Sequence, residues 1–160
     1  MLLAGNNRVL FYPSGLTTPT VVYGQSSFTA FSTLLSLAVG ASAAHGPIAL
    51  ALDGNGNLFM ADYYNHRVLL YPTGGVTKGV AQPAATLATA VFGQADFGSG
   101  LQNKINGTTP SASGMWNPDG LTVDASGNLY VADFSNNRAL FFPAGQVSGA
   151  ALATRVYGQF

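Results

Sequence analysis

Cysteine and glutamate are both missing from the 160 residues. Without cysteine there is no disulfide, no thiolate nucleophile and no cysteine-ligated zinc, although the compartment stays open. Without glutamate all six acids are aspartates; six basic residues oppose them, net charge is zero, and charged residues make up 8% of the chain. A surface that tracks phosphates needs clustered Lys and Arg, so nucleic acid is excluded as a partner and a membrane role is disfavoured. The two histidines, His45 and His66, are not spaced as a metal motif and no acidic pair completes one. Serine is plentiful, but no Gly-x-Ser-x-Gly nucleophile elbow occurs. These gaps leave no catalytic constellation, and no cofactor or metal is expected.

What is abundant is apolar residues, at 48%, together with 20 Gly and 8 Pro, a composition that supports a packed core crossed by many tight turns. The chain also repeats itself. GPIALALDGNGNLFMADYYNHRVLLY, from Gly46 to Tyr71, returns as NPDGLTVDASGNLYVADFSNNRALFF from Asn117 to Phe142. Asp53 maps on Asp124, Asp62 on Asp133 and Arg67 on Arg138, at one constant offset, so no insertion falls inside the unit. Self-similarity of this kind means one supersecondary unit stacked on its neighbours.

Within the unit, Ile48 to Leu52 predicts a strand, Asp53-Gly54-Asn55-Gly56-Asn57 a turn, and Leu58 to Ala61 the return strand. Asp62 to His66 predicts a second tight connection. Arg67 to Tyr71 is a third strand, stopped by Pro72, which lacks the amide hydrogen of a continuing ladder. After a loop of variable length comes a short fourth strand with its own signature: Thr-Val-Val-Tyr-Gly24-Gln25, Thr-Ala-Val-Phe-Gly93-Gln94 and Thr-Arg-Val-Tyr-Gly158-Gln159. Four strands per unit is the count of a propeller blade.

These features divide the chain into a truncated half-repeat at 1–28, an apolar connector at 29–45, a first complete blade at 46–97, a Gly/Ser/Asn-rich connector at 98–116 and a second complete blade at 117–160. The half-repeat is expected to hold only third and fourth strands, because Asn6-Asn7-Arg8 aligns with Asn136-Asn137-Arg138 and counting back puts Leu3 in the place of Asp62. The uncharged run from 28 to 44 can be read as a short membrane helix, as an internal export signal, or as a connector packed on the sheet faces; its alignment with 98–116 favours the connector. Asn106-Gly107-Thr108 is a formal glycosylation sequon, read as incidental.

The order Pro, apolar strand ending in Asp, Gly-Asn turn, apolar strand ending Met-Ala-Asp62 or Val-Ala-Asp133, then Asn65-His66-Arg67 or Asn136-Asn137-Arg138, resembles the NHL repeat. The Tyr-Gly-Gln extension is similar to long-repeat bacterial members. The resemblance implies an all-β fold, here a partial β-propeller of four-stranded antiparallel blades with two complete repeats plus one half. Closed propellers have about 4 to 8 blades, so the chain is read as a fragment of a longer propeller, with exposed blade faces that invite self-association. An extracellular or cell-surface setting is favoured by the resemblance, and no signal peptide precedes the first repeat.

Repetition also decides how the polar residues are read. A catalytic group is needed once, whereas a turn brace is needed in every blade, so Asp62, Arg67, Asp133, Arg138, Arg8, Asp53 and Asp124 are expected to be structural. His66 is expected to donate within its turn, and His45 to lie between blades. Little remains outside the repeated set: Asp96, Asp119, Arg155, Lys78 and Lys104. The leading expectation is a non-catalytic binding or scaffold surface for a protein or glycan ligand. The alternative is part of a lyase or lactonase-type propeller whose site is completed by missing blades, and a third, RNA recognition, meets a chain without net charge.

Overall fold

The structure, a computed structural model, describes residues 2–30, 40–41, 43–72, 87–146 and 151–158. It is all-β and forms three antiparallel sheets. The first contains β1 (Leu2–Gly5), β2 (Arg8–Phe11) and β3 (Val21–Tyr23) in that order. The second contains β4 (Pro47–Leu52), β5 (Leu58–Asp62), β6 (Arg67–Tyr71) and β7 (Ala90–Phe92), and the third β8 (Pro118–Val123), β9 (Leu129–Asp133), β10 (Arg138–Phe142) and β11 (Arg155–Tyr157). Strands follow sequence order across each sheet, as a meander does, and the first strands of the second and third sheets, β4 and β8, lie beside one another.

The two full sheets share their irregularities. A bulge interrupts the first pairing at Ile48 in one sheet and at Asp119 in the other, leaving both side chains exposed. The second connection in each is a 3-10 turn, Tyr63–Asn65 or Phe134–Asn136, closed by a residue in the left-handed region, His66 at φ 54° or Asn137 at φ 51°.

The N-terminal sheet corrects the expectation of two strands: it has three. The cause is a shorter turn. Asn6 and Asn7, at φ 51° and 57°, form a two-residue connection that places Gly5 opposite Arg8, the pairing that Asp62 makes with Arg67 across four residues. Two positive-φ residues match the right-handed twist of a hairpin, and Asn tolerates that conformation better than other residues with a side chain. Gly5 and not Leu3 therefore takes the aspartate's place, and the residues before it pair as a strand.

The core lies between the sheets. Along β5 and β6 alternate residues point to opposite faces: Leu58, Met60, Leu69 and Tyr71 pack on Val9, Val21 and Tyr23 of the first sheet, while Phe59, Val68 and Phe92 pack on Leu129, Val131, Leu140 and Phe142 of the third. Edge-to-face ring pairs span both seams, Tyr23 with Tyr71 at 5.2 Å and Phe92 with Phe142 at 5.4 Å. Each Leu, Val or Phe so buried contributes about 1.5–3 kcal/mol. The middle sheet thus gains from two neighbours where the outer two gain from one each.

Most of the apolar run 28–44 lies outside the described residues. Of its described part, Ala44 is buried and Ala41 packs against the seam between the first and second sheets. No helix among the described residues is long and apolar enough to cross a membrane.

Candidate functional site

The polar residues common to the repeats gather at the end of each sheet where the second strand turns into the third. Asp62, the last residue of β5, and Arg67, the first of β6, pair across the strands and join through Nε to Oδ2 at 2.7 Å, with both side chains fully buried. Asn65 donates to the same oxygen at 3.0 Å, and the His45 backbone N–H donates to Oδ1 at 2.6 Å. The rest of the guanidinium donates to carbonyls: Nη1 to Phe97 at 2.8 Å, and Nη2 to Ala43 at 2.8 Å and Gly40 at 3.1 Å. Burial pushes the Asp62 carboxyl above its ordinary range, opposed by the Arg67 charge and by the three donors.

The third sheet repeats this network. Arg138 Nε meets Asp133 Oδ2 at 2.7 Å, Asn136 donates to that oxygen at 2.8 Å, and the Trp116 N–H donates to Oδ1 at 2.7 Å. Arg138 Nη2 donates to Ser111 and Gly114. Arg8 in the first sheet has glycine in the aspartate's place, and its Nη1 donates to the carbonyls of Phe28 and Ala30. In all three units the guanidinium ties connector carbonyls to the end of its own sheet: those after the sheet for Arg8, those before it for Arg138, and both for Arg67.

Asp53 and Asp124 lie at the opposite end, in the first hairpin. Each carboxylate caps its turn: Oδ1 of Asp53 accepts from the N–H groups of Asn55 and Asn57, and Oδ1 of Asp124 from those of Ser126 and Asn128. The turn aspartates therefore do not join the buried pairs. The hydrogen bonds from Asn128 hold the Asp124 carboxyl below the usual carboxylate range.

The Gly-Gln signature closes the seam between blades. Gly24 and Gly93 have φ of 81° and 87°, and a Cβ on either would come within 2.6 Å of Ala44 or 2.9 Å of Met115, so only glycine fits. Gln25 donates to the Asn7 carbonyl at 3.2 Å, and Gln94 to the His66 carbonyl at 3.1 Å and the Leu101 carbonyl at 2.8 Å. Gly158, at φ 111°, holds the same place in the third sheet; Gln159 lies outside the described residues.

A contact between blades was not legible in the sequence. Asn7 Oδ1 accepts the Gly46 N–H at 2.9 Å and His66 Nδ1 accepts the Asn117 N–H at 3.1 Å, so the residue closing one blade's turn hooks the first residue of the next blade. His66 was expected to donate; it accepts. Burial lowers the imidazole below its ordinary value, opposed by the Asp133 carboxylate, which keeps Nδ1 unprotonated and able to accept. His45 lies against Tyr64, ring centroids 4.7 Å apart. Asn103, also missed, is buried, donates to the Gly107 carbonyl and accepts from Asn136.

A cleft of about 300 Å³ opens between the second and third sheets at the hairpin end. Phe59, Leu70, Phe92 and Leu129 floor it, and Asp53, Asn55, Ser126 and Gln146 stand at its rim. No group of three or more His, Asp or Glu among the described residues is placed to hold a metal.

Four-residue turns bridged by an acid and an arginine, four-stranded meanders and face-to-face stacking define these sheets as blades of the β-propeller class. The NHL repeat family model matches residues 115–138, so this stretch of the chain is an NHL repeat. That span holds the whole Trp116–Asp133–Asn136–Arg138 network. No curated protein matches the chain.

Proposed function

We propose that the chain is a non-catalytic binding module, part of a longer propeller, that presents a protein or glycan ligand with the cleft at the hairpin end of its blades. The observation that supports this most directly is the division of labour among the polar groups. Asp62 and Asp133 are buried and turned wholly to the frame, whereas the cleft has an apolar floor and a rim whose Asn55 amide and Ser126 hydroxyl make no side-chain hydrogen bond among the described residues. An apolar patch with a few neutral donors and acceptors suits a hydroxylated, uncharged ligand better than an ion.

Titration calorimetry against a panel of neutral oligosaccharides and unmodified peptides tests the reading. Binding by one class, weakened about tenfold in Asn55→Ala or Ser126→Ala, supports it, since a lost hydrogen bond is worth about 0.5–1.5 kcal/mol. Binding that both substitutions leave unchanged removes the cleft from the account. A stoichiometric metal ion in the purified protein would favour the lyase or lactonase alternative.

A further inference from the structure

Asparagine followed by glycine occurs twice in the chain, at Asn55-Gly56 and at Asn106-Gly107. Such a pair can react with itself, because glycine has no Cβ to keep its backbone nitrogen away from the preceding side-chain amide. The two pairs sit in different surroundings. Gly56 lies in the first hairpin of the second sheet, where its N–H donates to the Asp53 carbonyl at 3.0 Å. The Asp53 carboxylate accepts from the N–H groups on either side of it, Asn55 at 2.9 Å and Asn57 at 2.8 Å. Attack by the Gly56 nitrogen would cost the turn its own hydrogen bond. Asn106, the first residue of the sequon, is exposed and left-handed at φ 55°. Neither its side-chain amide nor the Gly107 N–H makes a hydrogen bond among the described residues.

We infer that Asn106 is a site of self-modification, converted with water to aspartate and isoaspartate while Asn55 is spared. The Gly107 nitrogen, its proton passed to solvent, attacks Asn106 Cγ; the bond from Cγ to the amide nitrogen breaks, ammonia leaves and a succinimide ring closes. Water then adds to one of the two ring carbonyls. Cleavage at Cγ gives aspartate, and cleavage at the main-chain carbonyl carbon gives isoaspartate, whose backbone is longer by the side-chain methylene. Nothing is oxidised or reduced. The extra length falls where the loop is tied down: the Gly107 carbonyl accepts from the buried Asn103 at 2.9 Å, and Asn103 accepts in turn at 2.7 Å from Asn136, a donor to Asp133. Isoaspartate therefore pulls on the brace of the third sheet through linked hydrogen bonds, and losing the first leaves a buried amide donor unpaired. The inference stands apart from the cleft, which Asn106 does not line.

Ageing the full chain in mildly alkaline buffer and mapping its tryptic peptides by mass spectrometry tests it; cleavage after Lys104 puts Asn106 second in its peptide. The expected result is that NH is exchanged for O several-fold faster at Asn106 than at Asn55, and that the two sites react alike when the chain is aged in guanidinium chloride, where the turn is gone. Labelling by an isoaspartate-specific methyltransferase should track the Asn106 product. Gly107→Ala should slow the reaction at least tenfold and still fold, since its Cβ would meet only the Ile105 side chain, at 3.3 and 3.4 Å. The isoaspartate-bearing fraction should melt below the parent, whereas Asn106→Asp, which gains the same charge on an ordinary backbone, should not. A native chain that reacts at Asn55 as fast as at Asn106 or at neither site, a difference that persists in denaturant, or an isoaspartate fraction that melts as the parent does overturns the inference.

Discussion

At the scale of single residues, His66 and Tyr71 are where one copy of the repeat departs from the others in a way that measurement can read. His66 accepts the Asn117 N–H through Nδ1, a role that Asn7 fills with an amide oxygen. Its imidazole is held below the ordinary 6.5 by burial, with only Asp133 opposing. In the window between the folded value and 6.5 the unfolded chain binds more protons, so stability rises with pH. His66 thus leaves the fold at full stability above about pH 6.5 and withdraws stability as pH falls towards the folded value, below which no more is lost. His66→Asn keeps the acceptor without the titration, so thermal melts at pH 7 and pH 5 should differ less in the variant than in the parent; an unchanged difference assigns the acid sensitivity elsewhere. Tyr71 is fully buried and its hydroxyl has no partner among the described residues. Phe142 fills the equivalent place in the third sheet. An unsatisfied buried hydroxyl costs about 1–3 kcal/mol, so Tyr71→Phe should leave stability unchanged or raise it by about 1 kcal/mol, read as a shifted denaturation midpoint.

At the scale of the element, the turn between second and third strand determines both what the blade can hold and how much of it could be read. Breaking the Asp62–Arg67 pair strands a guanidinium in the core, and Asp62→Ala should cost about 3–5 kcal/mol. Arg8 has no carboxylate partner among the described residues and donates to the Phe28 and Ala30 carbonyls. Arg8→Ala should cost less, about 1.5–3 kcal/mol for hydrogen bonds to a charged group, and urea denaturation of the two variants ranks them. The pairs and the strands around them were legible because an acid, an arginine and their apolar neighbours recur at one constant offset. The N-terminal strand was not, since alignment carried the four-residue turn backwards onto a chain that uses two, Asn6 and Asn7. Nor was the hook at Asn7 and His66, because the direction in which a left-handed residue points its side chain follows from its backbone and not from its identity. Which face of each sheet meets which neighbour was not legible for a related reason: alternation separates two sets of side chains on each strand, but which set meets a neighbour is fixed only when the sheets stack.

At the scale of the whole molecule, stability should be graded across the stack and not shared evenly. A stacked-repeat chain approximates a sum of unit stabilities and nearest-neighbour seams. The middle sheet has a seam on each side, its β5 buried at every position, while all three residues of β11 are exposed. Local opening is easiest where buried apolar contacts are fewest. Native-state hydrogen exchange should therefore find the slowest amides in β5 and β6 and much faster ones in the pairing of β10 with β11, though all belong to hydrogen-bonded ladders. Equal protection of β11 and β5 would mean that the seams couple the sheets too tightly for any one to open alone, and the additive picture of the stack would fail.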